Sequence, residues 1–287
     1  MRKTVAAAAA ILLLVADSAL LFGQSPTPLT IGSAAARAFL FQGKPVHPFC
    51  VDFQADEEDA VQRLSACTAA DAVPHMDKRG FLTADYKPDP GFNLRQPFSS
   101  YRVLSRKGNR FLIATTTSGG GTGIFYSLLW VHLDDSTLKM AGSIAGGDRC
   151  SGGLDDFHVR GNVVEFSQHL TPEDVLRLAD APIAQDSVEY SAISCFARAH
   201  FIYNLADEKL TLESVTFRYE LGPQDGSGMV EDRDGWTGLF SAQSCFNKLF
   251  NDYIAQKRAT LDQALLAQFG RDFNSRCGSP ASAKRRS

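Results

Sequence analysis

The sequence concentrates chemically capable side chains most densely at Gly146-Gly147-Asp148-Arg149-Cys150-Ser151-Gly152-Gly153. Paired glycines flank an acid, a guanidinium and a cysteine. Glycine reaches positive φ without steric cost, so the loop can take a shape that other residues resist. A disulfide at Cys150 would hold that shape and leave Asp148 and Arg149 as preorganised ligand-binding groups. A local pairing of Arg149 with Asp148 or Asp155 would instead make the loop a stapled brace. Asp148 could also work with Asp155 or Glu165 in hydrolysis, because paired carboxylates need only about 5–10 Å between them in space.

Other chemistries lack their pattern. No serine has both flanking glycines of a nucleophile elbow. Ser136-Thr137-Leu138-Lys139 fits Ser-x-x-Lys, but it falls at an expected hairpin turn and not on one helical face. The glycines from 119 to 123 lead into Ile124-Phe125-Tyr126, a β-rich run, whereas a phosphate cradle needs a following helix N-terminus. The six histidines form no His-x-His and no His-Glu-x-x-His. The loop holding Asp225, Glu231, Asp232 and Asp234 fails the calcium-loop register from either starting acid. Asp56-Glu57-Glu58-Asp59 reads as the favoured negative opening of a helix. No metal or other cofactor is expected.

The cysteines and the N-terminus point to export. Met1-Arg2-Lys3 precedes an apolar run over 5–16, then small residues, then Ser25-Pro26. That order is a secretory signal peptide, taken here as 1–24. An apolar helix of this length spans roughly 18 Å, against a hydrocarbon core of about 30 Å. No stable membrane span is therefore expected after cleavage. Cys50, Cys67, Cys150, Cys195, Cys245 and Cys277 all lie beyond that segment, with no Cys-x-x-Cys pair. In an oxidising compartment an even set of this kind reads as three disulfides. The expected address is periplasmic or secreted. Lys+Arg 29 against Asp+Glu 32 leaves a net charge of −3, so no basic field exists to hold nucleic acid. With 44% hydrophobic and 21% charged residues, the chain is excluded from collagen, coiled coil and wholesale disorder.

Residues 25–49 are weakly patterned. Ala60, Val61, Leu64 and Cys67 make the apolar stripe of an expected helix that opens at the four acids. After a Pro-rich loop at 87–97 the period changes to two, and 101–104, 110–117, 124–133, 138–144 and 159–166 read as successive strands. Their short joints, including Arg160-Gly161-Asn162, demand antiparallel neighbours. Thr171-Pro172-Glu173-Asp174 carries a capping threonine, proline at the first helical position and an acid three residues on. Strands follow at 193–203 and 209–220, then a polar loop at 222–238. Two helices are expected at 241–258 and 261–269, broken at Thr260 by a capping box and ended by Gly270. Residues 278–287 read as a disordered tail.

The fold class is α+β: an antiparallel meander of about seven strands with flanking helices and a C-terminal helical hairpin. Residues 25–277 form one disulfide-braced domain. The expected bridges are Cys150–Cys195, Cys50–Cys67 and Cys245–Cys277. The last requires the break near Thr260, because one straight helix from 245 to 270 would span roughly 37 Å. Seven extended residues return at most about 25 Å. The function expected is that of an exported, non-catalytic binding protein, an inhibitor or protective factor of the cell envelope. Its partner would be a protein or a small molecule. The alternative is an envelope hydrolase using the paired carboxylates.

Overall fold

The computed structural model describes residues 34–53, 60–68, 72–87, 96–181, 188, 195–217 and 242–277. The expected signal peptide, the acids at 56–59, most of the Pro-rich loop, the 222–238 loop and the tail lie outside them. A small hairpin, β1 (Leu40–Phe41) and β2 (Lys44–Pro45), comes first. A 3-10 turn, Pro48–Val51, follows it.

Period-two patterning then builds a seven-stranded antiparallel sheet. Its strands are β3 (Val61–Arg63), β4 (His75–Met76), β5 (Leu82–Asp85), β6 (Phe98–Lys107), β7 (Arg110–Ser118), β8 (Phe125–Leu133) and β9 (Thr137–Asp148), in the order β3-β9-β8-β7-β6-β5-β4. β3 corrects the expected helix that opens at the four acids and carries the stripe Ala60, Val61, Leu64 and Cys67. Only Leu64–Cys67 is helical, as the single turn α2; the preceding α1 is Ala34–Ala38. The open edge of β9 recruits Val61–Arg63, pairing Val61 with Lys139 and Arg63 with Thr137. An unpaired strand edge offers a full row of backbone partners, and that outweighed a helical stripe of four apolar residues.

The strands do not continue as one meander. A second, five-stranded sheet holds β10 (Leu154–Arg160), β11 (Val163–Leu170), β12 (Ala197–Asn204), β13 (Lys209–Phe217) and β14 (Thr260–Leu261), in chain order. The single strand expected over 159–166 is the hairpin of β10 and β11, turning at Gly161-Asn162. The glycine-flanked loop is the step between the sheets. Gly147 pairs with Tyr126 of β8, while Gly152 N–H donates to His169 O of β11 at 2.9 Å. Five residues thus carry the chain from one sheet to the other. The backbone folds so tightly that a Cβ on Gly147 would sit 2.0 Å from Ser151 O, and one on Gly152 2.4 Å from Gly146 O. Gly152 also has φ +93°, a region that glycine adopts and side chains oppose. The Cys150–Cys195 bridge closes this step.

The two sheets share a core. Leu112, Ala114, Leu128 and Trp130 of the first face Val164, Phe166, Phe201 and Tyr203 of the second. Trp130 Nε1 donates to Tyr203 Oη at 2.8 Å, which satisfies a buried indole. At the margin Arg110 forks onto Glu208 at 2.9 and 3.3 Å and lies over the Trp130 ring. The opposite face of the first sheet, with Phe111, Ile113, Leu129 and Val131, has its own core beneath Phe39, Val46, Cys50 and Leu64. Tyr101 Oη donates to Val46 O at 2.7 Å and Ser99 Oγ to Pro48 O at 2.9 Å, pinning this cover down. Cys50–Cys67 ties it laterally.

Helices complete the first core. α3 (Pro172–Leu178) has the expected capping box, with Thr171 and Asp174 serving each other's backbone N–H. α4 (Gln243–Ala255) and α5 (Gln263–Cys277) form the helical hairpin, joined by Cys245–Cys277. α4 ends with Lys257 at φ +60°, Lys257 N–H bonding Ile254 O and Arg258 N–H bonding Tyr253 O. This is a Schellman turn built without glycine. The break falls where expected, but Thr260 is in β14, and Asp262 caps α5 by accepting from Leu265 N–H at 2.8 Å. Gly270 does not end α5. It lies inside it, where a Cβ would meet Ala179 O at 2.4 Å, so the glycine serves close packing on the end of α3. Among the described residues no helix is long and apolar enough to cross a membrane.

Candidate functional site

Along β7 and β8 the covered face changes character. Phe111 and Ile113 give way to Thr115 and Thr117, and Val131 and Leu129 give way to Ser127 and Phe125. Register sets these opposite each other, Thr115 against Ser127 and Thr117 against Phe125. The apolar cover stops at the 3-10 turn, and beyond it the hydroxyl-bearing floor opens into a cleft of about 720 Å³. Phe53, Tyr86, Pro97 and Phe125 wall it, and Gly147 of the inter-sheet step reaches its edge. That volume lies within the range of small-ligand sites, about 300–1,000 Å³. Phe125 is 55% exposed, unusual for a phenylalanine in an ordered strand.

One acid projects here. Asp52 directly follows the 3-10 turn that Cys50–Cys67 anchors, and its carboxylate accepts from Tyr86 Oη at 3.0 Å. The Tyr86 ring is stacked on Phe49, with centroids 3.7 Å apart and planes 11° from parallel. Burial raises the Asp52 pKa above its ordinary 3.8, and the tyrosine hydrogen bond offsets this in part. Burial likewise raises Tyr86, with the adjacent carboxylate adding to the effect. Among the described residues no cation pairs with Asp52. The result is a half-buried acid with a phenol as its partner and aromatic rings around it.

A second polar cluster lies on the outer face of the five-stranded sheet. Cross-strand register places Asp155 opposite Ser167, Ser167 opposite His200 and His169 opposite Arg198. Arg198 donates to Asp155 at 2.8 Å and to Asp156 at 2.7 Å. Consecutive strand residues ordinarily face opposite sides. A bulge in β10, with Asp156 at φ +54°, lets both acids reach the same guanidinium. His169 Nε2 lies 3.0 Å from Asp155, and Ser167 Oγ lies 3.1 Å from His200 Nδ1. A serine relay needs one imidazole between serine and acid. Here the serine and the acid contact different histidines.

Asp148 and Arg149, the pair singled out from the sequence, bind each other. Arg149 donates to both carboxylate oxygens at 3.1 and 3.3 Å, and Asp148 also accepts from Ile124 N–H at 3.0 Å. Their place is the inter-sheet step at the margin of the cleft. Of the carboxylates expected to cooperate with Asp148, Asp155 is held by Arg198 and His169, and Glu165 faces Arg160 at 3.7 Å. Asp52 and Tyr86 had no signal in the sequence. They stand 34 positions apart in no recognisable motif. The nearest hint was an acid between Val51 and Phe53, two residues after Cys50. Among the described residues no group of His, Cys, Asp and Glu is arranged to hold a metal ion. No protein-family model matches the chain, no curated protein matches its sequence, and no solved structure matches it.

Proposed function

We propose that the protein is an exported, non-catalytic binding protein, acting in the periplasm or after secretion as an inhibitor or protective factor, and that its ligand occupies the cleft beside Asp52. The observation that carries this reading is the cleft itself: a hydroxyl-lined floor, aromatic walls and one carboxyl group that no cation among the described residues pairs with. Sites of this composition bury apolar ligand surface while a few polar groups fix orientation. Export is supported by the N-terminal signal pattern and by three disulfides that use all six cysteines.

The alternative, an envelope hydrolase working through Asp148 with Asp155 or Glu165, is disfavoured by the partners of these acids. Each is engaged by its own cation. A fragment library titrated into the oxidised, isotope-labelled protein tests the proposal by backbone amide NMR. Shifts should cluster at Thr115, Thr117 and Ser127. Shifts clustering on Ser167, His169 and His200, or no hits at all, would overturn it.

A further inference from the structure

The geometry points to an organic cation, an alkylated ammonium group, as the chemistry that the cleft recognises. This rests on the binding reading above and narrows it. A carboxylate taken partly out of water is costly unless a cation or several hydrogen bonds compensate it. Among the described residues Asp52 has one side-chain hydrogen bond, from Tyr86, and no cation. The described lining contains no lysine, arginine or histidine. An anionic ligand would therefore meet a like charge with no lysine, arginine or histidine of the described lining to offset it, whereas a cation would complement Asp52.

The walls favour the same class. Ring faces attract cations by their quadrupole, the more strongly the less water surrounds the contact. Phe53, Tyr86 and Phe125 all border the cleft. Tyr86 is preorganised twice over, its ring stacked on Phe49 and its hydroxyl committed to Asp52. Apolar walls discriminate among cations as well. A primary ammonium needs three hydrogen-bond acceptors, while an alkylated one presents methyl groups to the rings and keeps its charge. Thr115, Thr117 and Ser127 remain to receive a polar remainder of the ligand. The cation could be carried by a small amine or by a methylated lysine in a peptide, and the two sources share this recognition.

Titration calorimetry of the full oxidised protein with four probes decides the matter. The probes are choline; 3,3-dimethylbutan-1-ol, which has the shape of choline without its charge; a trimethyllysine peptide; and methyl glucoside. Choline or the peptide should bind at least about tenfold tighter than the neutral alcohol, a difference of about 1.4 kcal/mol. Tighter binding of choline assigns a small amine, and tighter binding of the peptide assigns a protein partner. Asp52→Asn should abolish the preference for charge. Phe125→Ala, at an exposed position, should weaken choline about threefold while leaving the fold intact. Equal binding of choline and the alcohol, or an undiminished preference in Asp52→Asn, would overturn the cation. Binding of methyl glucoside alone would also overturn it while leaving the cleft a binding site. No binding by any probe, with no fragment shifts in the cleft, would overturn both readings.

Discussion

Asp52, at the end of the seven-stranded sheet, and Asp155, on the outer face of the five-stranded sheet, are both partly buried acids, but they keep different company. Asp155 receives a guanidinium at 2.8 Å and an imidazole at 3.0 Å. A bulge even turns the neighbouring Asp156 toward the same arginine. Asp52 receives a tyrosine hydroxyl and sits among rings. Charge compensation built from the protein's own side chains leaves little for a ligand to supply. A carboxyl left without it is a standing cost to the fold, and such costs collect where something is bound. The contrast separates a charged surface that braces a sheet from a cleft that, on the proposed reading, receives a ligand.

The comparison can be broken most forcefully at the step between the sheets. Replacing Cys150 and Cys195 by serine removes the bridge across a 45-residue separation and should cost about 2–5 kcal/mol in urea unfolding. Amide exchange should then rise around Gly152 and His169, where the second sheet takes over the chain. Arg198→Met leaves Asp155 and Asp156 without their shared cation. Because Arg198 is about a quarter exposed, the expected loss is a moderate 1–3 kcal/mol or so. Tyr86→Phe is milder, about 1 kcal/mol. It should also move the Asp52 carboxyl further upward in a carbon-detected NMR titration, since the lost hydrogen bond is what holds it down. Phe125→Ala should change stability by less than about 0.5 kcal/mol, because the ring is more than half in solvent. A large loss there would mean that Phe125 is a core residue and not a wall of the cleft.

Much of the framework was legible in the sequence, and the reasons are local. The hairpins around Gly108-Asn109 and Asp134-Asp135 follow from period-two runs with short joints. The capping box at Thr171 is a four-residue signal and appears as such. With Cys245–Cys277 taken as a bridge, chain reach required a break near Thr260, and the bridge and the break are both present. The features that escaped depend on partners distant in the chain. Val61–Arg63 is a strand because β9 has a free edge. Gly270 lies inside α5 because Ala179 is close by. The division into two sheets hides in glycines whose contacts are with each other's backbone. The cleft is the extreme case. Period two along β7 shows Phe-x-Ile-x-Thr-x-Thr, so the change from apolar to hydroxyl was written there. Nothing in the chain, however, announced that Asp52 and Tyr86 would meet above it.

The stability of Asp52→Asn relative to wild type, followed by thermal or urea unfolding from about pH 3 to about pH 7, tests the contrast most directly. Asp52 has a folded-state pKa raised above its ordinary 3.8. Below 3.8 the acid is neutral in both states, and the two proteins should differ least. As the pH rises from there through the raised folded value, the unfolded chain ionises before the folded one, and wild type loses stability that the asparagine variant keeps. The variant should therefore gain on wild type across that window. A variant that instead falls behind wild type as the pH rises would show a carboxylate stabilised by the fold, and the distinction between Asp52 and Asp155 would be lost.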